Sequence, residues 1–233
     1  MKSFIYILLT SLTFLVVGCQ NESEEIRLIN QAERLFDAYP DSVITTLDSI
    51  PLPEEMSPRL VARWCMLYAR AADKIEDEMP YTNQLEIALK YYQKKKMREE
   101  EAEIGLYLGR SYVEDKEYEK AMRAYSDALE VALAIKDYNR AGYICSYMGD
   151  LYEVDLRYIL AAEKYKESGK YFHLANNTTS YVRAFVNEAH SYSIADSSYL
   201  ALASLKQAEM VMDSLNVEEV RSYVYNGLGN IYN

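Results

Sequence analysis

From residue 24 onward, apolar side chains recur three and four apart, the spacing that gathers them on one face of a helix. Residues 24–38 carry Ile26, Ile29, Ala32, Leu35 and Phe36 in that register and predict an amphipathic helix, which Pro40 interrupts. Asp41 or Ser42 then caps a short helix carrying Val43, Ile44 and Leu47. Pro51 and Pro53 break the chain, and Ser57 with Pro58 opens the next helix, because proline fits a first helical turn. That helix carries Trp64, Leu67, Tyr68 and Ala69. A partner helix follows with Leu85, Ala88, Tyr91 and Tyr92.

Beyond this point the pattern recurs at a fixed interval. Gly109, Gly149, Ala189 and Gly229 lie 40 residues apart, and Tyr112, Tyr152, Tyr192 and Tyr232 follow each of them by three. Ala121, Ala161 and Ala201 hold the same offset, as do Tyr125, Tyr165 and Leu205, and then Ala128, Ser168 and Ala208. So many columns in one register define a tandem repeat. Within a unit, Leu108, Gly109 and Tyr112 share one stripe of a first helix. Ala121, Tyr125 and Ala128 share a stripe of a second, and the polar residues 114–117 turn the chain between them. Small residues at the contact let two helices approach closely, and aromatic rings fill the remaining space.

This column set resembles the tetratricopeptide motif. The resemblance implies an all-α, right-handed superhelical solenoid of antiparallel helix pairs, with a period of 40 in place of the family's usual spacing of about 34. The surplus falls after the second helix (Val131 to Arg140 in the first clear unit), so both helices or their junction are longer. The units run over about residues 58–97, 98–138, 139–177 and 178–216, with a half-repeat at 217–233. The first of them is degenerate, with Ala72 where the motif has Tyr. Residues 24–57 form an atypical N-terminal cap, as end repeats must present one polar face. The half-repeat has a first helix without a second, which would by itself leave Val224, Leu228 and Ile231 poorly covered; either the helix acts as a minimal cap, or the chain is a shortened version of something longer. The chain also resembles larger bacterial tetratricopeptide proteins in which such repeats precede a membrane helix and a helix-turn-helix regulator. That machinery is not in this sequence.

The N-terminus follows a different pattern. Lys2 precedes an apolar run at residues 4–17, too short for a spanning helix and suited to a secretory signal. The run leads through Val16, Val17 and Gly18 to Cys19, and this resembles a bacterial lipobox. The resemblance implies that residues 1–18 are removed and that Cys19 carries acyl chains. Each buried CH₂ contributes about 0.8 kcal/mol, so several chains anchor where one would not. Residues 19–25 then read as an acidic tether. Acidic residues there also resemble surface-export signals of lipoproteins, although a plain linker or a first helical turn accounts for them equally well. No Asp directly follows Cys19, which by resemblance to lipoprotein sorting favours the outer membrane over the inner one.

Composition narrows the function. Eight Gly and five Pro are too few for a turn-rich β protein. A formal charge of −11 opposes nucleic-acid binding and offers no polybasic attraction to a membrane, so membrane contact falls to the lipid anchor. His173 and His190 have no partner at ligand spacing, and neither a metal nor another cofactor is implied. Cys65 and Cys145 lie two repeats apart, roughly 20 Å at a helix-packing step of about 10 Å per repeat, beyond disulfide reach. They are expected as free, buried thiols. No phosphate loop or nucleophile elbow occurs, so no catalytic residue is assigned and the chain is not expected to be an enzyme.

In tetratricopeptide arrays the first helices line a concave groove. The resemblance carries three registers of this chain into it. They are Arg63, Glu103, Tyr143 and Arg183; Leu67, Tyr107, Tyr147 and Asn187; and Arg70, Arg110, Asp150 and His190. From these, Arg63, Arg70, Tyr107, Arg110, Tyr143, Tyr147, Asp150, Arg183 and His190 are the groove candidates. Tyrosine and arginine dominate protein interfaces, and Arg70 with Arg110 could hold a carboxylate of a bound segment. The competing reading is that the tyrosines pack between helices and the arginines pair with neighbouring Glu. The carboxylate clamp of some family members is not reproduced, because Met66 and Arg70 stand at its first two positions. The expected function is a membrane-tethered scaffold whose partner is a protein or peptide, in the cell envelope. The alternatives are a glycan- or nutrient-binding outer-membrane lipoprotein, and the truncated sensory part of a membrane-anchored regulator.

Overall fold

The computed structural model describes residues 23–232, with the side chains of residues 230–232 left out. Cys19, the lipobox and most of the acidic tether therefore lie outside the described residues, as does the side chain of Ile231. The described residues form eleven α-helices and two 3₁₀ turns, at Pro53–Glu55 and Glu218–Val220. The helices are α1 (Glu24–Leu35), α2 (Pro40–Asp48), α3 (Pro58–Ile75), α4 (Thr82–Lys95), α5 (Arg98–Glu114) and α6 (Tyr118–Ala134). They continue as α7 (Tyr138–Val154), α8 (Tyr158–Leu174), α9 (Thr178–Ile194), α10 (Ser198–Leu215) and α11 (Arg221–Tyr232). Consecutive helices pack on one another throughout, with α3 and α4, α5 and α6, α7 and α8, and α9 and α10 as antiparallel pairs.

The repeat has a half-period that is not evident from residue types. Glu76, Lys96, Lys116, Lys136, Leu156, Asn176, Asp196 and Asn216 all have φ between 53° and 61°, and they fall every 20 residues. Each sits just past a helix end in the left-handed region. The next residue sends its N–H back to a carbonyl in the last turn, as in Glu117 to Tyr112 (2.8 Å), Asp137 to Ala132 (2.8 Å) and Asn177 to Phe172 (2.9 Å). That same residue starts the following helix. The Asp137 carboxylate accepts the Arg140 N–H at 3.0 Å, and Asn177 accepts that of Ser180 at 3.1 Å. Helices α5 to α9 are each 17 residues long and are separated by three-residue turns. The surplus over the shorter tetratricopeptide period is therefore spread over both helices, and the junction at residues 131–140 is no longer than the others.

The N-terminal cap differs in detail from the expectation. Helix α1 stops at Leu35, and Pro40 is the first residue of α2, with Tyr39 at its cap position. The cap is not Asp41 or Ser42, because proline's fixed φ places it at the helix start and holds the preceding residue out of the helical region. Ser57 and Pro58 begin α3 as expected.

Small residues on first helices receive rings from second helices. A Cβ built on Gly109 would lie 2.2 Å from the Tyr125 ring, and one on Gly149 would lie 2.7 Å from Tyr165. Tyr125 and Tyr165 are consequently among the largest fully buried side chains. The third unit-equivalent pair is Ala189 with Leu205, where a branched aliphatic chain leaves room for a methyl group. Val224 is fully buried on α11, in a cluster with Val182, Val186, Leu205 and Met212, and Leu228 packs at its edge. The last helix thus covers the preceding pair instead of exposing its own apolar face. Cys65 and Cys145 are free and buried, and burial pushes the Cys145 thiol up to about 12.

Two substitutions test these constraints. Leu156 is 70% exposed in the left-handed region, where a side chain costs about 1–2 kcal/mol. After the greater chain entropy of glycine is set against this, Leu156→Gly is expected to raise stability by about 0.5–1 kcal/mol in urea unfolding. Gly109→Ala gains about 1 kcal/mol of helix propensity yet is expected to lose about 1–3 kcal/mol net, because Tyr125 must be displaced. A stabilised Gly109→Ala protein would contradict the packing described.

Candidate functional site

The first helices follow one another in file, with α3 on α5, α5 on α7 and α9 on α11 in contact. They form the inner wall of the array, and their outward-facing side chains line a groove. Its α3–α7 part is crossed by ion pairs between successive repeats. Arg70 Nε and Nη2 donate to Glu103 Oε1 and Oε2 at 2.6 and 2.8 Å. Arg140 Nη2 donates to Glu103 Oε2 at 3.2 Å, and the Tyr107 hydroxyl donates to Oε1 at 3.3 Å. Arg110 pairs with Asp73, and Arg140 also with Asp137. Arg63 reaches back to Glu33 at 2.7 Å and to Asn30 at 2.9 Å.

Glu103 is the centre of this ladder. Burial alone would raise its carboxyl, but the Arg70 hydrogen bonds, with Arg140 and Tyr107, outweigh burial and hold it below the ordinary carboxylate range. Each arginine of the α3–α7 groove is thus already committed to a carboxylate of the chain itself. A cavity of about 320 Å³ between α5 and α7 is lined by these same groups, among them Asp73, Glu103, Tyr107, Arg140 and Tyr143.

The α7–α11 part is different. The Tyr125 and Tyr147 rings stack 5.9 Å apart, and the Arg110 guanidinium lies 5.5 Å above the Tyr147 ring. Asp150 follows on α7 and accepts the Tyr165 hydroxyl at 2.5 Å. Solvent reaches the Asp150 side chain, but groove walls surround it. This loss of hydration raises its carboxyl; the Tyr165 hydrogen bond opposes the rise and Glu153 adds to it. Glu153 accepts the Ser191 hydroxyl at 2.5 Å, and Tyr223 on α11 donates to Asn187 Oδ1 at 2.8 Å. His190 is exposed beside a second groove cavity of about 260 Å³, which Val186, Leu205 and Tyr223 help to line.

The nine candidates therefore divide by surroundings. Arg63, Arg70 and Arg110 join repeats, and Tyr107 is buried with its hydroxyl on Glu103. Tyr147 is half-buried under Arg110. Tyr143, Asp150, Arg183 and His190 remain exposed on the groove surface. Asp73, Arg140, Glu153 and Tyr223 belong to the same surface, and the buried Tyr165 reaches it through its hydroxyl, but none of them was among the candidates. A signal for the first two exists in the sequence. Opposite charges fall 33 or 37 residues apart, one repeat less about two helical turns or one, at Arg70 and Glu103, Asp73 and Arg110, and Glu103 and Arg140.

No family model and no curated protein matches the chain. Solved structures do. The apo form of RapI is 13% identical with a TM-score of 0.68, over 86% of this chain and 74% of that one. A putative kinesin light chain of Podosopora anserina with nearly identical TPR-like repeats is 12% identical with a TM-score of 0.59, over 83% and 99% of the two chains. BtubC (BKLC) from P. vanneervenii is 18% identical with a TM-score of 0.56, over 81% and 74%. The fold is a tetratricopeptide-like solenoid. At these identities the likeness is one of fold.

The two carboxylates at the heart of the groove should respond to pH with opposite sign. Glu103 is held low, so its contribution is present above the unfolded pKa and is lost as pH falls through the folded one. Glu103→Gln is expected to cost about 1–3 kcal/mol at pH 7, and the cost should shrink below about pH 4. Asp150 is held high, so its ionisation opposes folding as pH rises through its folded pKa. Asp150→Asn should stabilise the protein at pH 7 and lose that advantage in acid. Urea midpoints of both variants from about pH 2 to about pH 8 check the two signs.

Proposed function

We propose that this chain is a membrane-tethered scaffold that binds a protein or peptide segment in its concave groove. The observation that carries the reading is the tetratricopeptide-like fold with an exposed, tyrosine-bearing groove from α7 to α11. In the α3–α7 part the arginines of the ladder are held by the chain's own carboxylates, so that ladder serves to fix the spacing of the repeats. Binding then falls on Tyr143, Asp150, Arg183, His190 and Tyr223. Tyr143 and Tyr223 are 40% and 45% exposed, and each meets the neighbouring first helix through its hydroxyl, at Ser180 and Asn187. Such rings offer large contact area with few rotatable bonds, which favours protein partners.

The tether rests on the sequence around Cys19, and the location proposed with it is the cell envelope, with the outer membrane favoured over the inner one. Labelled palmitate should enter the parent protein and be absent from Cys19→Ala. Retained label would remove the anchor from the account.

The groove is tested by a photo-crosslinking residue placed in cells at Tyr143 or at Met210, an exposed position on the second helix α10. Capture of a discrete protein from position 143 and none from 210 is the expected outcome. Equal capture from both, or capture from 210 alone, would move the binding surface off the groove.

A further inference from the structure

Two cavities lie side by side on the inner wall between α5 and α7, and they differ in charge balance. In the first, Asp73, Glu103 and Asp137 are each paired with an arginine. The second is a cleft of about 240 Å³ with mainly apolar walls. Val113, Leu151, Val154 and Tyr125 line it, and Glu114 and Asp150 supply two carboxylates. Arg110 stands at its margin, but its guanidinium is held by Asp73 and lies against Tyr147. Among the described residues Asp150 has only the Tyr165 hydroxyl as a hydrogen-bond partner, and Glu114 accepts the Met79 backbone N–H at 3.1 Å. Neither forms an ion pair among the described residues.

An apolar cleft that also carries two carboxylates matches one side chain in both parts. Lysine has four methylenes that pack on aliphatic walls and an ammonium that seeks carboxylate oxygens. We propose that this cleft receives a lysine side chain of the bound segment, with the stem against Val113, Leu151 and Val154 and the ammonium between Glu114 and Asp150. The inference rests on the groove reading above and deepens it, because it makes the partner segment basic. The chain's net charge of −11 favours approach of such a segment over an acidic one.

The unoccupied cleft also has a cost that an ammonium would relieve. Burial raises the Asp150 and Glu114 carboxyls, and other carboxylates add to it: Glu153 for Asp150, and Glu78 and Asp115 for Glu114. Arg110 eases Glu114 without pairing with it. A cation bound between them would lower both, so binding should weaken as pH falls and these groups protonate.

The test is a fluorescence anisotropy titration of the full chain with a labelled nonapeptide of alternating Ala and Lys, in salt near 0.15 M to screen long-range charge. The same peptide with Glu for Lys is the control ligand. The Lys peptide is expected to bind and the Glu peptide not to bind. Glu114→Gln with Asp150→Asn should weaken the Lys peptide at least about tenfold, the loss of roughly one charge-assisted contact. Asp127→Asn with Glu130→Gln makes the same charge change on exposed positions of α6 and should alter binding less than about twofold. Val154, a lining residue that is 53% exposed, offers a variant that leaves both carboxylates in place. Val154→Lys should block the cleft with the chain's own ammonium and weaken the peptide to a similar degree.

Equal weakening by the α6 pair and the cleft pair would overturn the proposal, since general charge would then explain binding. So would tight binding to Val154→Lys. The crosslinker at Tyr143 separates this failure from that of the groove reading. Undiminished capture by the Glu114→Gln, Asp150→Asn chain overturns the lysine cleft and leaves the groove standing. No capture in the parent chain ends both.

Discussion

The architecture depends on one turn used again and again. A helix runs 17 residues, one residue enters the left-handed region, and the next amide closes back on the last helical turn. A 17-residue helix is about 25 Å long, so successive helices reverse flush and the next first helix starts where the previous one did. Inserting one residue in a turn would rotate the following helix by about 100° and carry its tyrosine away from the small residue opposite. Equal spacing also explains why ion pairs recur 33 or 37 residues apart. Side chains one or two turns off the 40-residue offset face each other across adjacent first helices.

From that constraint follows a division of labour along the groove. Where α3, α5 and α7 meet, buried and half-buried charges join three consecutive repeats through Glu103. An ion pair taken out of water gains little net stability, but a carboxylate left there without its arginines is costly. The ladder therefore specifies how repeats are set against one another more than it stabilises them. From α7 to α11 the contacts between first helices pass to hydroxyls and amides, as in Ser191 with Glu153 and Tyr223 with Asn187. Neutral donors leave the carboxylates of that region with charge to spare, and this makes the second half of the groove the part suited to a ligand.

The helices and the 40-residue register were readable because they depend on residue size. Gly109 and Gly149 must be small, and Tyr125 and Tyr165 must be large, so packing leaves a mark in the sequence. The 20-residue half-period left no such mark. Left-handed positions usually show as glycine, but here they are Lys, Leu, Asn, Asp and Glu, and the cooperative closure of two helices holds them there. The groove was half legible. A helical register places Arg70 and Arg110 on the inner wall, but whether an arginine is free depends on what lies one repeat away. Glu103 and Asp73 took both. Of the two readings of the last helix, the burial of Val224 agrees with the minimal cap, since a helix at the end of an array has one neighbouring pair to pack on, and that pair sufficed.

Tyrosine, at 23 residues, provides a probe on every part of the surface. Hydroxyl-radical footprinting of the full-length protein, alone and with its captured partner, reads each ring separately. Tyr143 and Tyr223 face the groove, and Tyr118 and Tyr199 are exposed on second helices. Binding in the groove predicts that the partner shields Tyr143 and Tyr223 while Tyr118 and Tyr199 keep their reactivity. Shielding of Tyr118 or Tyr199 with Tyr143 and Tyr223 unchanged would contradict it.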